Sequence, residues 1–435
     1  MSSAVVTTTS VVSCCNYRQF IILFATVAAM ETAAFGQQHQ TLPSLPAYAH
    51  QEDVSTLATS QNKFTRDLYV KLGSKSSGNL FFSPFSIMTA LGMTYTGAAG
   101  NTEQEMHSVM HLAQDKETLH NAFQDVVKDL KTEVAEYELS TSNMAYVSNK
   151  LTLLTDYVNT LKENYLSSVK TVNFDEAENV RQEINSLVEK DTNSRIKDLI
   201  PSGILDNMTR MVLVNAVYFK GLWEHQFLKS ATYDQEFWTS ESDSIKVPMM
   251  HIKDHFRIFH HRNLGAMLLA MDYKGSRLSM VFVLPDKRSG LAEVEAKLAE
   301  FDLNEIDKRL RRAEVEVTLP KFKLEESLDL VACLNEMGMK DLFNERTCDL
   351  SGISGTKDLY VSNVIHKAFL EVNEEGSEAA AATGVVINAR SLPMEPPRFL
   401  ANHPFFFYIR DHQARLVLFV GRLVLPRAVT SKDEL

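Results

Sequence analysis

The residue types that ordinarily carry catalysis are present in this 435-residue chain, but not at spacings that make a catalyst. His251 and His255 lie four apart, with His260 and His261 close behind, and on one helix face such a pair could bind a metal ion. Pro248 and its neighbours suggest strand and loop instead, which favours exposed histidines over a metal site. There is no Gly-x-Ser-x-Gly elbow, no Walker loop and no Gly-x-Gly-x-x-Gly after a strand. Carboxylates are abundant, as in any acidic protein, and their pairing is not readable from sequence. The one dense basic run, Lys308-Arg309-Leu310-Arg311-Arg312, abuts the alternating Glu314 to Leu319 segment and reads as a solvated helix end. The chain is expected to be no enzyme and to need no metal or cofactor.

A different chemistry is open to Glu374-Glu375-Gly376-Ser377-Glu378-Ala379-Ala380-Ala381-Ala382-Thr383 and the residues that follow, as far as Arg390-Ser391. As a helix, Ser377 could cap four consecutive alanines before Gly384 stops them. As a strand, Ser377, Ala379, Ala381, Thr383, Val385 and Ile387 form a small-to-apolar face, and Glu378, Ala380, Ala382, Gly384, Val386 and Asn388 a more polar one. Charged Glu374 to Glu378, broken by Gly376, suits an exposed loop. Such a segment could be a solvated loop in one state and a buried strand in another.

The composition is globular, 45% hydrophobic and 23% charged, and a net charge of −11 argues against nucleic acid as a partner. Arg18, the apolar run Phe20 to Ala29, and Ala34 and Gly36 ahead of Gln37 have the pattern of a secretory signal over residues 1–36. That run is too short to span a bilayer, so no membrane span is expected. Residues 37–50, rich in Gln, Pro and Ala, read as a disordered lead, 51–426 as the folded domain, and 427–435 as a tail. Cys14 and Cys15 leave with the signal. Cys333 and Cys348 remain, too few for a disulfide framework, and whether they pair stays open. Asn207-Met208-Thr209 is an N-glycosylation acceptor. Lys432, Asp433, Glu434 and Leu435 form an endoplasmic-reticulum retrieval signal, read by the KDEL receptor.

The elements that must position these features follow from periodicity. Val54, Leu57, Phe64, Leu68 and Leu72 predict a first helix. Ser83 caps a second, with Pro84 in its first turn, and Thr102 with Glu105 suggests a capping box for a third. Leu139 to Ser148 alternates like a half-buried strand, and 177–199 is amphipathic. Met211 to Phe219 is apolar on both faces except at Asn215, which reads as a central strand. A buried asparagine there needs a partner, since an unpaired buried amide costs roughly 1–3 kcal/mol. After residue 235 the chain is mostly β, with a helix at Leu328 to Leu342. A helix-rich first half and a strand-rich second half predict one large α+β domain.

Seven collinear motifs then carry a family resemblance. They are Asn79-Leu-Phe-Phe-Ser-Pro-Phe-Ser-Ile87, Val214-Asn-Ala-Val-Tyr-Phe-Lys-Gly-Leu-Trp223, Leu319-Pro-Lys-Phe-Lys-Leu-Glu325, Asp349-Leu-Ser-Gly352, His366-Lys-Ala368, Asn402-His-Pro-Phe-Phe-Phe407 and Phe419-Val-Gly-Arg422. From about Val54 to Pro426 the chain resembles the serpins. The resemblance implies an α+β serpin fold of three β-sheets and about nine helices, with an exposed reactive-centre loop over about 374–397. It also implies that Ser83, Ser86, Asn215 and His366 meet as a polar shutter beneath the large sheet, and that Trp223 sits at the breach where the loop enters it.

The implied activity is inhibition of a serine protease by a suicide-substrate mechanism. The protease forms an acyl-enzyme at the bait, and the cleaved loop inserts into the large sheet before water can release it. Inward hinge positions must then be small, as Ser377, Ala379 and Ala381 are, with Gly376 as pivot. By family counting the bait lies sixteen residues after Glu374, at Arg390, followed by Ser391. Arginine suits a trypsin-like pocket with aspartate at its base. The expected partner is thus a trypsin-like protease held in a covalent acyl complex, and the inhibitor itself is expected to be a monomer. The retrieval signal places it in the endoplasmic reticulum of the secretory pathway, with secretion also open. It keeps one alternative in view, a non-inhibitory folding chaperone resident there. The usual mark of that alternative is a bulky, charged or proline residue at the inward hinge positions, and Ser377, Ala379 and Ala381 are none of these.

Overall fold

The computed structural model describes residues 48–113, 115–132, 136–298, 300, 302–303, 306, 308–375 and 395–426. The signal segment, most of the lead, the loop from Gly376 through Arg390-Ser391, and the terminal Lys432 to Leu435 lie outside the described residues.

Helices dominate the first half. They are α1 (Gln51–Gly73), α2 (Pro84–Thr96), α3 (Gly100–Val109), α4 (Lys116–Leu130), α5 (Thr155–Asn164) and α6 (Ala177–Asp191), interleaved with β1 (Leu80–Phe82), β2 (Tyr137–Ser148) and β3 (Ser168–Val172). Then come β4 (Met211–Gly221), β5 (Thr232–Trp238), β6 (Ser244–His261), β7 (Ala266–Asp272), β8 (Leu278–Pro285), α7 (Leu291–Leu298), β9 (Arg311–Pro320) and β10 (Phe322–Asp329). The chain ends with α8 (Val331–Met337), α9 (Ser351–Ser354), β11 (Asn363–Val372), β12 (Arg398–Leu400), β13 (Phe405–Asp411) and β14 (Leu416–Leu423).

Local chemistry accounts for most boundaries. Ser83 caps α2 by accepting the Ser86 N–H, with Pro84 in the first turn, as expected. The expected capping box of α3 does not form. That helix begins at Gly100, and Thr102 Oγ1 instead accepts the Asp349 N–H while Glu105 takes the N–H groups of Lys340 and Asp341. Long-range partners outcompete the local cap because they tie α3 to the segment after α8. The helix expected over Leu328 to Leu342 is shorter, since β10 runs to Asp329 and Gly338, at φ +124°, stops α8. The basic run starts in the turn that follows helical Leu303 and Ile306, as expected, but its second half goes on into a strand. Arg311 and Arg312 open β9, exposed. Nor does the lead extend to residue 50, because Tyr48 is buried and its hydroxyl donates to Asp129 at 2.8 Å.

Two sheets organise the described chain. The first has five strands in the order β10-β11-β4-β2-β3, with β11 and β4 parallel and β10–β11 and β4–β2 antiparallel. The second and third of the expected sheets share β6, whose length lets it pair with β5, β7 and β9, so they form one nine-stranded sheet. Strand β4 is central in the first sheet and buried on both faces. Val212, Val214, Ala216 and Tyr218 pack with Val180, Ile184 and Val188 of α6, while Leu213, Val217 and Phe219 face the main core. Each fully buried side chain of this kind contributes roughly 1.5–3 kcal/mol, so both cores depend on this strand. Cys333 and Cys348 are buried and free, not bridged.

Candidate functional site

The joint between β4 and β11 is where the expected site residues gather. Its parallel register runs from Asn363 opposite Val212 to Leu370 opposite Phe219, and it sets His366 directly opposite Asn215. Both side chains point to the main-core face, under which the start of α2 packs. His366 Nε2 accepts the Ser83 backbone N–H at 3.1 Å, so the ring proton lies on Nδ1, which donates to Asn215 Oδ1. The Asn215 amide donates to the Ser86 carbonyl at 3.1 Å and to Asn143 Oδ1. Ser86 Oγ also donates to Asn143, and Ser83 Oγ donates to the Leu418 carbonyl at 2.7 Å.

Ser83, Ser86, Asn215 and His366 therefore come together, and Asn143 of β2 joins them. The network spans β2, β4, β11, α2 and β14. Full burial pushes the His366 imidazole down to about 3, which keeps it neutral and in the tautomer that this geometry requires. Sequence reasoning missed Asn143. Its only signal was a polar residue on a half-buried strand, which by itself reads as solvent-facing.

At the upper end of the same joint, Trp223 is buried and stacks on Tyr273, with ring centroids 4.5 Å apart and planes 9° from parallel. Gly221 is required here, because a Cβ at that position would come within 2.5 Å of the Tyr273 ring. Trp223 Nε1 donates to the Asn373 carbonyl at 3.0 Å, Phe227 N to the Glu374 carbonyl at 3.0 Å, and Gln226 Nε2 to the Glu375 carbonyl at 2.9 Å. The Glu375 carboxylate is paired with Lys229, and that of Glu374, which is buried, with Lys321 at 3.3 Å. Of the hinge, then, Glu374 and Glu375 are anchored, whereas Gly376, Ser377, Glu378, Ala379, Ala380, Ala381, Ala382 and Thr383 lie outside the described residues, as do Arg390 and Ser391.

Asn207 is exposed in the turn before β4, while Thr209 is buried with its hydroxyl bonded to Asp206. His251 and His255 lie on strand β6; His251 stacks on Tyr233 and its Nδ1 lies 2.9 Å from Thr318 Oγ1. Among the described residues no group of His, Cys, Asp and Glu could hold a metal ion, and no helix is long and apolar enough to cross a membrane.

The chain that builds this joint has counterparts among known proteins in both sequence and fold. Residues 59–426 match the family model described as serpin (serine protease inhibitor), and the chain belongs to the serpin family. It is 38% identical over 398 residues to Serpin B10 of Papio anubis, covering 86% of this chain and 100% of that one. To the leukocyte elastase inhibitor of Equus caballus it is 40% identical over 379 residues, covering 85% and 99%. Its fold is similar to the crystal structure of Serpin48, a highly specific serpin of the insect Tenebrio molitor. That comparison has a TM-score of 0.77 at 33% identity and covers 85% of this chain and 98% of that one.

Proposed function

We propose that this serpin inhibits trypsin-like serine proteases as a suicide substrate, with Arg390 as the bait and the Arg390–Ser391 bond as the one cleaved. The protease serine attacks the Arg390 carbonyl and the Ser391 amine leaves, so an acyl-enzyme ester forms at Arg390. The freed hinge then enters the five-stranded sheet between β4 and β11, carrying the protease with it.

The observation that carries this reading is the direction of that joint. β11 and the central strand β4 are parallel neighbours, and the loop leaves from the top of β11. A segment folding back from there runs antiparallel to both. One parallel ladder is thereby replaced by two antiparallel ones, which are slightly more stable per residue. The inward hinge positions Ser377, Ala379 and Ala381 are small enough to pass over the core-facing side chains of this joint. Arg390 sets the specificity toward proteases with an acidic primary pocket.

The protein acts in this reading as a monomer of the secretory pathway, glycosylated at Asn207 and returned to the endoplasmic reticulum by the KDEL receptor. Incubation with trypsin tests the inhibitory part. A complex that survives denaturing electrophoresis, with cleavage after Arg390, is expected. An uncleaved loop, or a cleaved chain with no gain in heat stability, rules it out and favours the chaperone.

A further inference from the structure

We propose that the segment joining β4 to β5 is a clasp on the hinge, and that Gln226 and Lys229 set how fast the loop inserts. The inference rests on the insertion reading above. A strand entering between β4 and β11 must also pass between the segments that extend those strands upward. Residues 223–229 continue β4, and residues 373–375 continue β11. Every bond from the first set to the second therefore crosses the path of insertion and has to break.

Four such bonds are present: Trp223 Nε1 to Asn373 O, Phe227 N to Glu374 O, Gln226 Nε2 to Glu375 O, and the Lys229–Glu375 ion pair. Those of Gln226 and Lys229 are made by side chains and can be removed singly. The Lys321–Glu374 pair is different in kind. Lys321 immediately precedes β10, which flanks β11 on the side away from β4, so that pair lies off the insertion path and moves with β11. The more exposed Lys229–Glu375 pair and the more buried Lys321–Glu374 pair, on opposite sides of β11, thus have opposite consequences. The bonds toward β4 hold the native state and are lost on the way to insertion, whereas the bond toward β10 is kept throughout.

The test uses a synthetic peptide with the sequence of residues 377–388, so it does not depend on which bond a protease cuts. Its uptake by the intact chain is followed on native gels, and heat resistance of the product reports insertion. Gln226→Ala combined with Lys229→Met should take up the peptide about tenfold faster than wild type, the change that ~1.4 kcal/mol in a barrier produces. Lys321→Met should lower the thermal midpoint without accelerating uptake. Unchanged uptake in the double variant overturns the clasp while leaving insertion standing, as does equal acceleration by Lys321→Met. A wild-type chain that takes up no peptide overturns the clasp and the insertion reading together. If the double variant fails to fold, Gln226→Glu, which replaces the donor by an acceptor facing the Glu375 carbonyl, gives the same comparison.

Discussion

Asn215 and His366 stand opposite one another across the only parallel strand pair at the centre of the five-stranded sheet, among the described residues, and are joined side chain to side chain. The polar contact that stitches the joint is thus at the place where the proposed mechanism must open it. A purely apolar contact there would have no preferred partner. This one has a directional donor and acceptor on each side, so it specifies the closed register.

Removing that contact should loosen the native state. Asn215→Ala leaves the His366 Nδ1–H without its partner, and a buried polar group so orphaned costs roughly 1–3 kcal/mol. Urea unfolding should show a loss of about 1–3 kcal/mol. A loss below ~0.5 kcal/mol would mean that the network contributes little.

Acid should act on the same residue. The imidazole of His366 is pushed from its ordinary 6.5 down to about 3 by burial, that of His412 to about 3 and that of His120 to about 4, both also chiefly by burial. Between these values and 6.5 the unfolded chain binds more protons than the folded one, so stability falls as pH drops. The slope approaches ~1.4 kcal/mol per pH unit for each histidine. Unfolding midpoints measured from pH 7.5 to pH 5 should decline below about pH 6.5, and a flat profile contradicts the buried neutral ring.

Substitution in the hinge separates trapping from cleavage. Ser377→Arg places a long cation where the inserted strand needs a small side chain. The variant should be cleaved by trypsin as a substrate, with a stable complex no longer formed. Retention of the wild-type inhibition stoichiometry contradicts insertion.

Replacing the bait tests specificity directly. Arg390→Ala should abolish inhibition of trypsin, measured as the second-order rate of complex formation. Retained inhibition places the scissile bond elsewhere.

The two cysteines of the folded body offer a check on the core. Burial pushes the Cys333 thiol up to about 11 and the Cys348 thiol to about 12, so both should resist a thiol reagent at pH 8 until the chain is denatured. Thereafter both should react, since neither is bridged. Fast native labelling, or a missing thiol after unfolding, contradicts this arrangement.

What the sequence determined by itself was local or carried by motif. The Ser83-Pro84 helix start, the central character of Met211 to Phe219 and the need of Asn215 for a partner are all written in short-range residue patterns. So are the small side chains of the hinge. These depend on periodicity and side-chain size, which a linear reading sees. Only the tertiary structure decided who the partners are. Asn143 supplies an acceptor from β2, Asp349 and the Lys340–Asp341 segment take Thr102 and Glu105 away from a local cap, and Gln226 and Lys229 reach the carbonyl and carboxylate of Glu375. Each of these contacts joins residues dozens to hundreds of positions apart. Their energies arise when folding removes competing water from groups that, read in line, look exposed and independent.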